Sequence, residues 1–313
     1  MAIHLWREVT LVKIGPDDRW LVSMILVQYP SIADCQAERK QTVEHTHIRS
    51  MLETAVVAAR LAGQRAMEEI RYVKSSIKDG REMVTQADGI CQKIIIDRIK
   101  ESYPDHGFLG EEGGTQGIFR QPPRGSDDIW WVIDPIDGTN NYAHGLLCFV
   151  VSIAAFWKGK PVVAVIFDPA TESMYTATED TGAQRNDSPI RVTEEPLNRF
   201  SSFGIDSHFR PEMAGAIRTM MESTRFRNLG TTALHLAYVA KGAMIGTITT
   251  DAKLWDVAAG AFLVETAGGI VTDLRGQRIF PIDVADDAGQ TIVMLSANRK
   301  THPELLKLFG GGS

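Results

Sequence analysis

Residues 130–142 read WWVIDPIDGTNNY, and both the fold and the chemistry of the chain turn on this stretch. Ile129, Trp130, Trp131, Val132 and Ile133 make an apolar run of strand length, the pattern of a strand buried on both faces. At the end of that run stand two carboxylates, Asp134 and Asp137. Pro135 lacks a ladder donor and is expected to stop the strand. Gly138-Thr139-Asn140 then supplies a turn whose backbone N–H groups can face an anion. Two hard oxygen ligands beside such a nest of donors are what Mg2+-assisted phosphate chemistry requires. Taken alone, the same residues also describe a strand end followed by a solvated turn.

Two further stretches tip the balance. Phe108-Leu109-Gly110-Glu111-Glu112-Gly113-Gly114 is a short apolar run ending in paired acids between glycines, and Leu254-Trp255-Asp256-Val257-Ala258-Ala259-Gly260 sets one acid at the start of an apolar helix. Together the three resemble the inositol monophosphatase family of Mg2+-dependent, lithium-sensitive phosphomonoesterases, whose pattern is G-E-E, then D-P-I-D-G-T-x-N-[FY]-x-H-G, then W-D-x-A-[AG]. The central motif matches through His144 and Gly145, and the resemblance runs from about Met51 to about Phe309. It implies an α+β, α/β layered sandwich of the sugar-phosphatase type, αβαβα, with two sub-domains and the active site between them. It also implies a homodimer.

The resemblance carries roles for individual residues. Glu111, Asp134 and the carbonyl of Ile136 would bind one Mg2+, and Asp134, Asp137 and Asp256 a second, with Asp134 bridging. Glu111 and Thr139 would activate the attacking water, while the backbone of Gly138 and Thr139 would hold phosphate oxygens. Asp88, in Val84-Thr85-Gln86-Ala87-Asp88, falls near the family's metal cluster as an outer or third ligand; as a bare feature it reads as a helix N-cap. Asp256 carries the same double reading. Glu112 reads as a neighbour of the site, and His144 and His235 as packing or hydrogen-bonding residues, because Mg2+ favours oxygen. Gly230-Thr231-Thr232-Ala233 matches a helix start that lines the leaving-group pocket, with Ser207 as an addition.

Substrate choice is where the chain departs from the pattern. Inositol-hydrolysing members carry an acid seven residues before the W-D aspartate, and here that position is Thr249. Asp251 is one replacement for receiving substrate hydroxyls; alternatively Lys253 meets a second phosphate. The rivals to an inositol phosphate are therefore fructose bisphosphate, a nucleotide 3′-phosphate and histidinol phosphate. A rival of another class is a regulatory protein, since some bacterial relatives also bind transcription machinery.

Bulk properties fit this picture. The 313 residues are 44% apolar, enough for a substantial core and two sub-domains. A net charge of −6 provides no basic field for nucleic acid or an anionic membrane, so an anionic substrate must be captured locally. Cys35, Cys91 and Cys148 are odd in number and widely spaced, which suits a reduced compartment. Leu21–Val27 is too short to span a bilayer, and a cytoplasmic location is expected.

Along the chain, residues 1–49 read as an extension without counterpart in the family pattern, with strands at Trp6–Val12 and Trp20–Val27 around Gly15-Pro16-Asp17-Asp18. Ser50-x-x-Glu53 reads as a capping box opening a helix whose inner face is Leu52, Val56, Ala59, Gly63, Ala66 and Ile70. A second helix places Ile90, Ile94, Ile95 and Ile99 inward and stops before Pro104. Residues 50–195 read as a metal-binding α+β sub-domain that continues through strands at Phe149–Phe156, Pro161–Phe167 and Met174–Ala177. Residues 196–309 alternate strand and helix as an α/β sub-domain, and 310–313 read as a flexible tail.

Overall fold

The computed structural model describes residues 7–14, 19–26, 32–72, 75–78, 82–113, 117–124 and 127–310, with side chains from His47 onward except at 75–78 and 82–84. Met1–His47 and Ile48–Ser313 are two compact units. In the first, β1 (Arg7–Ile14) and β2 (Arg19–Leu26) pair antiparallel, from Arg7 opposite Leu26 to Ile14 opposite Arg19. The strands match the expected hairpin; the turn read at Gly15–Asp18 lies outside the described residues.

Helix α1 spans Ile32–Glu69, which corrects the capping box read at Ser50. No Gly or Pro interrupts 32–49, so nothing stops helical hydrogen bonding before Ser50. Ser50 Oγ instead accepts from the Tyr103 hydroxyl at 2.9 Å. The buried face of α1 is also turned from the expected one. Met51, Ala55, Ala58, Ala59, Ala62 and Ala66 are buried, while Leu52, Val56 and Ile70 are only partly so. Its small residues let the helix approach the sheet closely: a Cβ at Gly63 would come within 2.6 Å of the Phe167 ring.

Strands β3 (Ser75–Lys78) and β4 (Glu82–Thr85) form a hairpin leading into α2 (Gln86–Ser102). Ile95, Ile99 and Cys91 are buried on α2, but Ile90 is 37% exposed because the inward stripe begins with Ala87 and Asp88 one turn earlier. There follow β5 (Gly107–Gly110), β6 (Phe119–Gln121), β7 (Ile129–Asp137), a single-turn helix α3 (Thr139–Ala143), β8 (Val150–Trp157), β9 (Lys160–Asp168), β10 (Ser173–Thr178), β11 (Gly182–Arg185) and β12 (Ser188–Pro189). These strands build one eight-stranded sheet in the order β12-β11-β10-β9-β8-β7-β5-β6, antiparallel apart from the β5–β7 pair.

A second sheet of five strands, β14-β13-β15-β17-β16, is made from β13 (Ser202–Ile205), β14 (Arg225–Arg227), β15 (Gly246–Ala252), β16 (Ile270–Thr272) and β17 (Ile292–Ala297). Helices α4 (Ala214–Ser223), α5 (Thr232–Ala240), α6 (Leu254–Thr266) and α7 (His302–Gly310) complete the chain.

Strand β7 shows how the layers stack. Its side chains alternate: Trp130 and Val132 join a core with α5 and α6, while Ile129, Trp131 and Ile133 join the core under α1 and α2. Both faces being covered explains the unbroken apolar run. A third core packs the outer face of the five-stranded sheet, through Phe203, Ile205 and Leu295, on Ile217, Met220, Leu305 and Phe309 of α4 and α7. The order is therefore α1/α2, sheet, α5/α6, sheet, α4/α7, which is the αβαβα sandwich. Among the described residues no helix is long and apolar enough to cross a membrane.

Candidate active site

Two interruptions in strand pairing create the site. Pro135 does not stop β7, as the sequence led us to expect; the strand runs on to Asp137, and pairing with β8 slips between Asp134 opposite Ser152 and Asp137 opposite Val150. A bulge absorbs the missing proline donor and re-aims the side chains around it. Asp134 Oδ1 then accepts the Ile136 amide at 3.0 Å. The second slip lies between Thr249 and Ala252 on β15, where pairing with β17 is lost at Thr250 and Asp251.

Three helix starts converge on the acids at the end of β7. At α5, Asp137 Oδ2 accepts from Thr231 Oγ1 at 2.5 Å and Ala233 N at 2.6 Å, and Oδ1 accepts from Thr232 N at 3.3 Å. Thr231 also caps the helix, its Oγ1 accepting Leu234 N. At α2, Asp88 Oδ2 accepts the Thr85 amide at 2.9 Å, which leaves Oδ1 to accept from Thr139 Oγ1 at 3.2 Å. At α6, Asp256 Oδ2 accepts the Lys253 amide at 2.7 Å. Asp88 and Asp256 therefore sit in the third position of their helices and hold the capping amide, in the field of the helix N-terminus, while facing the cluster. The helix-capping reading holds for both side chains, and the same side chains face the acid cluster.

Glu111 follows β5, the parallel neighbour of β7, and its amide bonds Ile133 O. Gln92 on α2 pins the next residue by bonding both Glu112 N and Glu112 O. Gly138 turns the chain from β7 into α3 with φ of 102°, and a Cβ there would meet Cys148 O at 3.0 Å, so glycine is required. Thr139 Oγ1 lies within hydrogen-bonding distance of Asp88 Oδ1 and of Ile136 O at 3.0 Å. His144 bonds Asn140 O from an exposed position, and His235 is buried with Nε2 accepting Leu229 N, so both are hydrogen-bonding residues as expected.

The electrostatics are those of crowded, dry carboxylates. Burial first, and then repulsion from Glu111, Asp137, Asp256 and Asp88, push Asp134 well above the usual carboxylate range. Burial raises Asp137 to about 6 against the pull of its three donors, and burial with repulsion from Asp137 raises Asp256 to about 8. Burial raises Asp88 as well. Asp256 is among the charges that raise Asp134, so protonation of one of these carboxylates relieves the other. Among the described residues no three His, Cys, Asp or Glu side chains already form a coordination sphere. The donor set nevertheless fits a hard divalent cation: several buried carboxylates repel one another, and a cation would relieve that repulsion while leaving them ionised.

A cleft of about 570 Å3 opens beside the acids, lined among others by Asp137, Asp256, Thr231, Thr232, Asp251 and Lys253. Thr249 is not on its wall. It is fully buried, and its hydroxyl donates to Asp206, which the sequence did not single out. Lys253 Nζ and Asp251 Oδ1 both engage Thr291 Oγ1, at 3.3 and 3.2 Å.

Known proteins share this arrangement of sequence and layers. A Nus factor SuhB from Xylella fastidiosa is 38% identical over 230 residues, 71% of this chain and 81% of the relative. The crystal structure of the extragenic suppressor protein suhB from Bartonella henselae superposes with a TM-score of 0.74 at 30% identity, covering 83% of this chain and 98% of that one. An inositol monophosphatase-II from Staphylococcus aureus, crystallised with inositol monophosphate bound, gives 0.67 at 26% identity over 84% and 94%. The sequence model of the inositol monophosphatase family matches residues 47–310, the whole of the layered unit and its acid cluster, and the chain belongs to that family.

Proposed function

We propose that this chain is a Mg2+-dependent phosphomonoesterase acting on a small phosphorylated polyol, with inositol monophosphate as its substrate. The observation that carries this reading is the convergence of Asp134, Asp137 and Asp256 beside an open cleft, with Asp137 and Asp256 held by helix N-termini and Asp134 by the Ile136 amide. A phosphate monoester resists attack because its own charge repels nucleophiles. Bound Mg2+ would neutralise that charge and orient the reacting oxygens. Glu111, Asp134, Asp137, Asp256 and the carbonyl of Ile136 would hold it, with Asp88 in the outer shell.

The chain's own residues supply the rest. The amides of Gly138 and Thr139 open α3, where the first N–H groups have no intrahelical partner, and they suit phosphate oxygens. Thr139 Oγ1 has Asp88 Oδ1 and Ile136 O in reach for its own proton, and its lone pairs would accept a proton from an attacking water. Burial raises Asp88, which suits it to take up that proton in turn. Thr231 and Thr232 fix Asp137 and form the cleft wall on the leaving-group side. The S. aureus relative with bound inositol monophosphate supports the substrate class.

A second reading is a role in transcription, supported by the name Nus factor borne by relatives such as the X. fastidiosa protein. Phosphate release from inositol 1-phosphate, fructose 1,6-bisphosphate and a nucleotide 3′-phosphate, with and without Mg2+, tests the enzymatic reading. Mg2+-dependent release led by inositol 1-phosphate is expected. Release from none of the three would overturn it.

A further inference from the structure

The pairing of β13 with β15 has a consequence for the leaving-group wall. Ile205, the last residue of β13, lies opposite Ile248 in a parallel register, so Asp206, which follows it, comes beside Thr249 of β15. The β15 bulge frees the Thr250 amide from the ladder, and Asp206 Oδ2 accepts it at 3.0 Å. Asp206 Oδ1 accepts from Thr249 Oγ1 at 3.3 Å and Thr232 Oγ1 at 3.4 Å. The side chain is 15% exposed, and that exposure faces the cleft.

No cation accompanies this carboxylate among its described partners. Its ionic neighbour is His235, whose Nδ1 is 4.0 Å away. His235 Nε2 accepts the Leu229 amide, so the proton is on Nδ1, and burial keeps the ring neutral. A carboxylate offers about four lone-pair positions. Three are filled from its own wall, which leaves one on Oδ2 for a group in the cleft that Asp206 lines. Asp251 also lines the cleft and is close enough to Asp206 to repel it, while Lys253 of the same cleft is held on Thr291, so the wall at Asp206 itself is acidic and accepts neutral donors.

We propose that Asp206 receives a hydroxyl of the leaving alcohol, replacing the acid absent at position 249, with Thr249 as the residue that positions it. The inference rests on the phosphatase reading and narrows it to esters of polyhydroxylated alcohols over bisphosphates. The test compares inositol 1-phosphate with 4-nitrophenyl phosphate, whose leaving group offers no aliphatic hydroxyl. In Asp206→Ala the ratio of the two kcat/KM values falls by about ten- to a hundredfold, the weight of one hydrogen bond to a charged acceptor. Asp206→Asn, which keeps the shape and an acceptor but no charge, gives a smaller fall and carries the comparison if the alanine variant does not fold. Thr249→Val shifts the same ratio in the same direction. An unchanged ratio in the Asp206 variants overturns the proposal. Wild-type protein that hydrolyses neither ester with Mg2+ overturns the phosphatase reading itself, a separate result.

Discussion

Thr231 joins helix stability to the acid cluster through a single oxygen. Its Oγ1 accepts Leu234 N at the start of α5 and donates to Asp137 Oδ2, and the residue is buried at 3% exposure, so water competes little for either bond. Loss of an N-cap costs about 1 kcal/mol, within a range of roughly 0.5–2. Loss of a hydrogen bond to a buried charge costs about 1.5–3 kcal/mol. Thr231→Ala in metal-free protein is therefore expected to lower stability by about 2–4 kcal/mol, read as a Tm fall of roughly 3–6 °C for a protein of this size. Thr231→Ser keeps both bonds and should stay within about 1 kcal/mol of wild type. The effect also has a pH signature. Asp137 has its pKa raised to about 6 in the folded protein, so the charge-assisted part of the loss is present at pH 8 and fades at pH 5, where the acid is protonated. Urea unfolding in EDTA at the two pH values measures this. Equal losses for alanine and serine, or a loss for alanine that does not change with pH, would refute the assignment of both bonds to one hydroxyl.

Two other predictions follow from the same geometry. Asp137 and Asp256 carry folded pKa values of about 6 and 8, above the ordinary 3.8, so the folded metal-free state retains protons that the unfolded state has lost. Their contribution to stability accordingly falls as pH rises from about 4 to 8; added Mg2+ should restore it, and the Tm gap between Mg2+ and EDTA should widen from pH 5 to pH 8, whereas a constant gap would count against cation binding at these acids. On packing, Gly63→Ala drives a Cβ to 2.6 Å from Phe167 and should cost about 1–3 kcal/mol, but Gly89→Ala on α2 meets nothing within 4 Å and should add about 0.5–1 kcal/mol; thermal unfolding of the pair checks both.

How much of this was legible depended on whether a residue's role is local. The Asp134–Thr139 stretch is legible only beside Gly110–Glu112 and Trp255–Asp256, because alone it also describes a strand end followed by a solvated turn. Helix α5 begins where Gly230-Thr231-Thr232-Ala233 matches a helix start, at Thr232. The outcome at Pro135 was not legible, since only the partner strand shows that a bulge absorbs the missing donor. Ser50 failed for the opposite reason: a strong local cap pattern was overridden by helix-forming residues before it. Asp206 belongs to no motif. Its neighbours Thr232, Thr249 and Thr250 are 26, 43 and 44 residues away in the chain, and only the parallel register of β13 on β15 brings them together. Strand β17 and helix α7, which complete the second sheet and its outer layer, also went unread.

Asp134 is the residue through which the cluster either holds a divalent cation or does not. Phosphate release from inositol 1-phosphate should be measured as a function of Mg2+ for wild type and Asp134→Asn, with far-ultraviolet circular dichroism and Tm recorded on both. The account predicts Mg2+-dependent turnover in wild type and its loss in a folded Asp134→Asn protein at every Mg2+ concentration, because a neutral amide cannot bridge cations. Turnover by Asp134→Asn near that of wild type would contradict it.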